Sequence, residues 1–132
     1  MLPPTLSRFH PSISGSEATE VAIKSSMHST GAKKFIGFTG GYHGRTFGAL
    51  SVSGEKGKNA KLGPFYPKCE IIPFPQSKDC IKDSISSLDK EPLAGVIIEP
   101  IQATAGLRFV DKDALGELRA YTKSNNLSLI HI

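Results

Sequence analysis

A chain of 132 residues with 39% hydrophobic and 21% charged residues has the length and composition of one globular domain. Its net charge of +4 is mild, and its basic residues are dispersed without interleaved aromatic residues, so we expect no nucleic-acid partner. No apolar run approaches the roughly 20 residues that span a bilayer, so no membrane partner is expected. Cys69 and Cys80 form neither a metal-binding spacing nor a disulfide framework, which favours a reducing compartment and no metal site.

The first half of the chain predicts a lead-in, a helix and a strand. Residues 1–13 show no hydrophobic periodicity and are expected to be unstructured. A helix is expected to begin with Ser14 or Ser16 as its cap and to end at Gly31. Its buried face is predicted from helical spacing to consist of Ala18, Val21, Ala22 and Ser25. The segments that follow are predicted as a strand, a loop and a short helix: 33–38, 40–45 and 46–53.

The second half of the chain alternates strands with helices. Strands are predicted at 70–74, 93–98 and 127–130, and helices at 79–88 and 111–124. Pro73 indicates that the first of these strands lies at a sheet edge. Asp79 is the expected cap of the first helix, and the second is expected to face the core with Leu115, Leu118 and Tyr121. The alternation favours an α/β fold with a mainly parallel sheet and flanking helices.

Small residues at the start of the first predicted helix form a candidate anion site. Gly15 and Ser16 offer backbone N–H groups and one hydroxyl at the positive end of the helix dipole. This arrangement can hold a phosphate, and a plain helix cap is the alternative.

A second candidate site follows the first predicted strand, where Tyr42, His43 and Arg45 lie on a glycine-flanked loop. Tyr42 can stack on a flat heteroaromatic ring or can be a half-buried core residue. His43 can orient a neighbouring group or can be an ordinary loop histidine. Arg45 has the planar fork that binds a carboxylate through two hydrogen bonds, or it forms a surface salt bridge. Glu99 ends an apolar strand and either helps to hold a cofactor or caps a turn, and ligands in parallel sheets bind at such strand ends.

At these residues the chain resembles the subgroup-III pyridoxal-phosphate aminotransferases, especially 4-aminobutyrate aminotransferase and its ornithine and acetylornithine relatives. The matching segments lie in order and at family-like spacing: SGSEATEVAIK (14–24), FTGGYHGRTFGALSVSG (38–54), LGPFYP…IIPFP (62–75) and LAGVIIEPIQ (93–102). The pair formed by YHGRT and EPIQ is quite specific to this group.

The resemblance implies that residues 14–126 are part of the large, cofactor-binding domain of a fold-type I aminotransferase, with pyridoxal phosphate as cofactor. The cofactor-binding residues that it implies are Gly15, Ser16, Tyr42, His43, Glu99 and Gln102. Gly15 and Ser16 match the phosphate site, and Tyr42 matches the aromatic residue that covers the pyridine ring. Arg45 matches the arginine that binds a substrate carboxylate.

The activity implied by the resemblance is transfer of an amino group from an ω-amino acid such as 4-aminobutyrate to a 2-oxo acid, in a homodimer. The alternatives are an ornithine- or acetylornithine-type aminotransferase and a non-catalytic remnant of the fold. The expected location is either cytoplasmic or mitochondrial, and the sequence does not distinguish the two.

The chain departs from the family pattern at several positions. Thr104 stands where the 4-aminobutyrate and ornithine enzymes have a second glutamate, and Ile13 stands where an asparagine is common. Relatives also carry an aspartate that pairs with the pyridinium nitrogen, about where Ile132 falls, and later a lysine that binds the cofactor covalently. We therefore expect an internal fragment with no catalytic residue of its own, inactive alone. Residues 127–132 are expected to be a truncated strand or a non-native tail.

Overall fold

The computed structural model describes residues 8–54 and 60–131, and in these ranges helices alternate with strands. In chain order the elements are α1 (Gly15–Thr30), β1 (Lys34–Phe38), α2 (Phe47–Val52), a 3-10 turn (Ala60–Leu62), β2 (Lys68–Ile72), α3 (Lys78–Ser86), β3 (Leu93–Ile98), β4 (Ile101–Gln102), β5 (Arg108–Phe109), α4 (Lys112–Ser124) and β6 (Ser128–His131). The predicted elements are all present, with boundaries shifted by one or a few residues. Residues 1–7 of the predicted lead-in and Ile132 lie outside the described ranges.

A four-stranded parallel sheet forms the centre of the described structure, in the spatial order β2-β1-β3-β6. β2 lies at one edge of this sheet, as predicted from Pro73. It ends at Ile72 because the next residue, Pro73, has no N–H to donate. A two-stranded antiparallel ribbon of β4 and β5, which the sequence pattern did not predict, follows β3. The α/β class with a mainly parallel sheet is as predicted.

Helices cover both faces of the sheet and bury two separate apolar clusters. One cluster joins the sheet to α3 and α4, and it includes Phe38, Phe74, Ile81 and Leu118. The other joins the sheet to α1 and α2 and includes Ile23, Phe35 and Ile97. Strands buried on both faces form continuous apolar runs, which is why β1 and β3 are so hydrophobic.

The buried face of α1 differs from the predicted one. Thr19, Ile23 and Ser26 are buried, whereas Ala18 and Ser25 are exposed. The prediction from helical spacing was wrong because it took no account of the loop partner of Thr19, whose Oγ1 donates to His43 O at 2.8 Å. A hydroxyl with a partner can be buried at little cost.

Two details of α3 and α4 also correct the predictions. Ser77, not Asp79, caps α3, since its Oγ accepts from Cys80 N at 3.2 Å. The buried residues of α4 are Ala114, Leu118 and Thr122, while Leu115 and Tyr121 are only half-buried. The helices in the described ranges include none that is long and apolar enough to cross a membrane.

Candidate functional site

The loop after β1 and the residue after β3 meet at the carboxyl edge of the sheet. β1 and β3 are parallel neighbours, so their carboxyl ends lie side by side. The N–H of Tyr42 donates to Glu99 Oε1 at 2.6 Å, and this bond ties the loop to the end of β3. Glu99 is 7% exposed, and burial raises the pKa of its carboxyl, while the hydrogen bond from Tyr42 acts in the opposite direction.

A row of polar side chains on α1 holds the other side of this loop. Ser16, Thr19 and Glu20 share one face of the helix because they are spaced at i, i+3 and i+4. Ser16 Oγ accepts from the N–H of Arg45 at 3.1 Å, next to the bond from Thr19 to His43 O. The start of α1 and the loop therefore form one unit.

Glu20 caps a helix that is distant in sequence. Its Oε1 accepts from Thr46 Oγ1 at 2.5 Å and from the N–H of Gly48 at 2.9 Å, and it thus satisfies the start of α2. Thr46 is at the cap position of α2 but makes no capping hydrogen bond with its own side chain. This role of Glu20 was not predicted from the sequence, because a capping partner 26 residues away leaves no local signal.

Gly44 allows the close approach of the loop to α1. It has a φ of 126°, a conformation that side chains disfavour. A Cβ at this position would also lie 2.8 Å from Ser16 Cα. Both observations explain why glycine follows the Tyr-His pair.

A cleft of about 210 Å³ opens between the start of α1 and the loop, and its lining residues are Ser14, Gly15, Ser16, Tyr42, His43 and Gly44. Ser14 Oγ accepts from the N–H of Glu17 at 3.2 Å, which caps α1. The N–H groups of Gly15 and Ser16, at the first two helical positions, have no acceptor within the helix. They lie at the positive end of the helix dipole, which favours an anion.

His43 is buried in the wall of this cleft. It is 3% exposed, and neither ring nitrogen has a hydrogen-bond partner among the described residues. Burial lowers its pKa from 6.5 to about 4, so the imidazole is neutral at pH 7. The backbone N–H of His43 donates to Ser53 Oγ at 3.1 Å, which fixes the backbone of the loop. His43 is thus a loop histidine with a buried ring.

Arg45 is exposed and lies beside the Tyr42 ring. Its Cζ is 5.8 Å from the centroid of that ring. No carboxylate of the described residues is within ion-pair distance of its guanidinium, so the alternative of a surface salt bridge finds no support there.

Gln102 is buried beneath the loop and does not line the cleft. Its Nε2 donates to Thr39 O at 3.1 Å, and its Oε1 accepts from Arg108 Nε at 3.1 Å. The structure thus brings Gly15, Ser16, Tyr42 and His43 around one cleft. Glu99 and Gln102 support the same loop from the sheet side.

The fold and the cleft define an α/β protein with a candidate anion site at the carboxyl ends of the strands of a parallel sheet. Comparison with known families makes this specific: the chain belongs to the class-III aminotransferases, whose family profile matches residues 1–131. Pyridoxal phosphate is the cofactor of this class, which confirms the cofactor prediction at the level of the family.

Curated relatives carry the names of particular aminotransferases. The chain is 37% identical over 120 residues to an acetylornithine aminotransferase of Methanopyrus kandleri, covering 89% of this chain and 29% of the relative. It is 40% identical over 117 residues to the acetylornithine aminotransferase of Archaeoglobus fulgidus, covering 86% and 30%. A [LysW]-aminoadipate semialdehyde/glutamate semialdehyde transaminase of Sulfolobus acidocaldarius is 35% identical over 117 residues, covering 89% and 29%. The chain thus spans under a third of these relatives.

Solved structures confirm the fold. An adenosylmethionine-8-amino-7-oxononanoate aminotransferase from Methanocaldococcus jannaschii superposes with a TM-score of 0.81 at 30% identity, over 91% of this chain and 30% of that one. A PLP-bound amine transaminase from an uncultivated Pseudomonas species gives 0.78 at 24% identity, over 91% and 32%. The prediction that the chain is part of the fold-type I large domain is confirmed.

Proposed function

We propose that this chain supplies the phosphate-binding and ring-covering part of an aminotransferase that moves an amino group from a carboxylate-bearing amino donor to a 2-oxo acid. The observation that carries the proposal is the single cleft that α1 and the loop of Tyr42 to Arg45 form together. The lining of that cleft includes both the start of α1 and Tyr42, which supports a role in binding an anion next to an aromatic ring.

The residues present fit a flat, phosphorylated cofactor. The free N–H groups of Gly15 and Ser16 would hold the phosphate, and the half-buried Tyr42 offers a ring face to the cofactor. The two ring nitrogens of His43 are buried in the same wall without a hydrogen-bond partner among the described residues. Buried polar atoms are normally hydrogen-bonded, and a cofactor bound in the cleft would supply the missing partner. When it is bound, pyridoxal phosphate supplies an electron sink for the bonds at the carbon that carries the amino group.

The protein side chains would position the cofactor and the substrate. Glu99 holds the backbone of Tyr42 and so fixes the ring that covers the cofactor. Arg45, exposed beside that ring, would bind a substrate carboxylate with its planar fork. The His43 imidazole is neutral at pH 7, so it would donate one hydrogen bond and accept another without adding a charge to the site.

The substrate that we propose is of the acetylornithine or ornithine type rather than 4-aminobutyrate. The curated relatives with the greatest similarity reported above include two acetylornithine aminotransferases, which supports this alternative over the narrower prediction. The exposed Thr104 stands where both the 4-aminobutyrate and the ornithine enzymes have a glutamate, so within this alternative it favours the acetylornithine type. The homodimer that the resemblance implies is part of the proposal.

The test is a panel of amino donors given to the intact protein that contains this chain. N-acetylornithine and ornithine should be turned over faster than 4-aminobutyrate, with 2-oxoglutarate as acceptor. Arg45→Lys should lower kcat/KM for these donors by about tenfold or more, because lysine loses the two-point grip on a carboxylate. A simple amine without a carboxylate should be nearly unaffected. Faster turnover of 4-aminobutyrate, or equal losses for both donor types, would contradict the assignment.

A further inference from the structure

Arg108 reaches from the antiparallel ribbon back to the carboxyl end of β1. Its Nη2 donates to Thr39 O at 2.6 Å, and its Nε donates to Gln102 Oε1 at 3.1 Å. Nη2 also donates to the same Gln102 oxygen. One guanidinium therefore joins β5, β4 and the first residue of the loop that leads to Tyr42.

These bonds decide which way the Gln102 amide points. A guanidinium has only donors, so the group of Gln102 that faces Arg108 must be the acceptor, Oε1. Nε2 is then directed to Thr39 O, to which it donates at 3.1 Å. Because Gln102 is completely buried, the reverse orientation would leave unsatisfied polar atoms in the protein interior. Among the described residues, Nε2 donates only to Thr39 O, so its second N–H is available to a further acceptor.

Packing holds the guanidinium itself in place. Arg108 Cζ lies 4.9 Å from the centroid of the Phe74 ring, in the range of a cation–π contact. On the loop side it packs against Gly40, which has a φ of 78° and no side chain to compete for the space. Thr39 is fixed as well, since its N–H donates to Ile72 O at 2.9 Å and its Oγ1 accepts from the N–H of Phe74 at 3.1 Å.

We propose that Arg108 is a positioning residue of the cofactor site: it fixes the amide orientation of Gln102 and the Thr39–Gly40 turn, and thereby holds the loop that carries Tyr42 and His43. The inference rests on the proposed function, because it assigns the purpose of the network to the binding of pyridoxal phosphate. Arg108 acts through Gln102 and the loop and touches no substrate.

The test compares Arg108→Met and Arg108→Lys in the intact protein. Methionine keeps much of the apolar volume and removes the donors, while lysine keeps the charge but cannot donate to Thr39 and Gln102 in the same fork. The expected result is that both variants weaken binding of pyridoxal phosphate by about tenfold, the size that loss of a charged hydrogen bond predicts. Arg119→Met, at an exposed position of α4, is the matched control and should bind normally.

A second measurement separates positioning from general stability. Gln102→Leu removes the amide that Arg108 orients, so Arg108→Met should weaken cofactor binding much less in that background than in the wild type. The melting temperature of the cofactor-free protein is recorded for each variant. A lower melting temperature with unchanged cofactor affinity, or equal effects of Arg108→Met in both backgrounds, overturns the inference. A wild-type protein that does not bind pyridoxal phosphate overturns the proposed function and this inference together.

Discussion

At the scale of single residues, Tyr42 and His43 are neighbours in sequence with different environments. Tyr42 is half-buried, and its N–H is held by Glu99, so its ring is available to a ligand while its backbone is fixed. His43 is buried with its ring nitrogens unpartnered among the described residues. The first residue is therefore tested by ligand binding and the second by the pH dependence of stability.

Tyr42→Ala should weaken retention of pyridoxal phosphate in the intact protein and leave its fold largely unchanged. The ring offers stacking worth ~0.5–1.5 kcal/mol beyond the area it buries. Tyr42→Phe keeps the ring face and should have a mild effect. Cofactor affinity and the melting temperature of the cofactor-free protein, measured for both variants, test this. Unchanged affinity with earlier melting of the alanine variant would make Tyr42 a core residue instead.

His43 should make the protein less stable at acidic pH. Its pKa is about 4 in the folded state and 6.5 as an ordinary histidine, so the unfolded chain binds the proton more readily. The stability is fully present above pH 6.5 and is lost as the pH falls toward 4. By linkage the loss between pH 7 and pH 5 is about 2 kcal/mol of unfolding free energy.

Urea denaturation of the cofactor-free protein at pH 7 and pH 5 measures this loss. His43→Leu should reduce the difference between the two pH values by about that amount, roughly 2 kcal/mol. His28→Gln, which removes an exposed histidine of α1, is the matched control. A difference that persists in His43→Leu would assign the acid sensitivity to other groups.

At the scale of elements, the polar face of α1 forms tertiary contacts that its hydropathy does not predict. Ser16, Thr19 and Glu20 bind the loop and the start of α2 through hydrogen bonds. Helical periodicity correctly gave the existence of α1 and its end at Gly31, because capping and chain reversal are local properties. It gave the wrong buried face, because the partners of these polar residues are more than twenty residues away.

Gly44→Ala should separate the loop from α1. The new methyl group would meet Ser16, and alanine disfavours a φ of 126°, so we expect a loss of about 1–3 kcal/mol of stability together with weaker cofactor binding. The control is Gly116→Ala in α4, where a Cβ would meet nothing within 4 Å. That substitution should stabilise the protein by about 0.5–1 kcal/mol. Denaturant titrations of both variants compare them, and a neutral Gly44→Ala would show that the loop can move without cost.

At the scale of the whole molecule, the two ends of the strands in the parallel sheet differ in function. At the amino-terminal ends of the strands, the Nζ of the buried Lys34 lies 2.6 Å from Glu70 Oε2 and 2.5 Å from Asp89 Oδ1. Burial disfavours its ammonium, but the hydrogen bonds to Asp89 and Glu70 outweigh burial and raise its pKa above the ordinary value. This cluster ties strands together, while the carboxyl edge carries the cleft.

The 132-residue chain alone should show no transaminase turnover. It spans about 30% of its curated relatives, and no lysine lines the cleft in the described part of the chain. An amine held against the cofactor aldehyde is needed for covalent attachment.

Large apolar side chains such as Ile13, Phe47 and Phe109 are also exposed, so we expect a marginal, poorly cooperative fold of the isolated chain. Turnover above that of free pyridoxal phosphate, or a sharp thermal transition, would contradict these expectations.

The sequence by itself determined the order of helices and strands, the parallel sheet, the edge position of the strand before Pro73 and the family. These follow from periodicity, caps and short motifs, which are local. Tertiary structure decided the buried face of α1, the capping of α2 by Glu20, the burial of His43 and the fork of Arg108 on Gln102 and Thr39. Each of these depends on the tertiary packing of α1 against the loop and α2, or of the β4–β5 ribbon against the end of β1, and no local pattern records such packing.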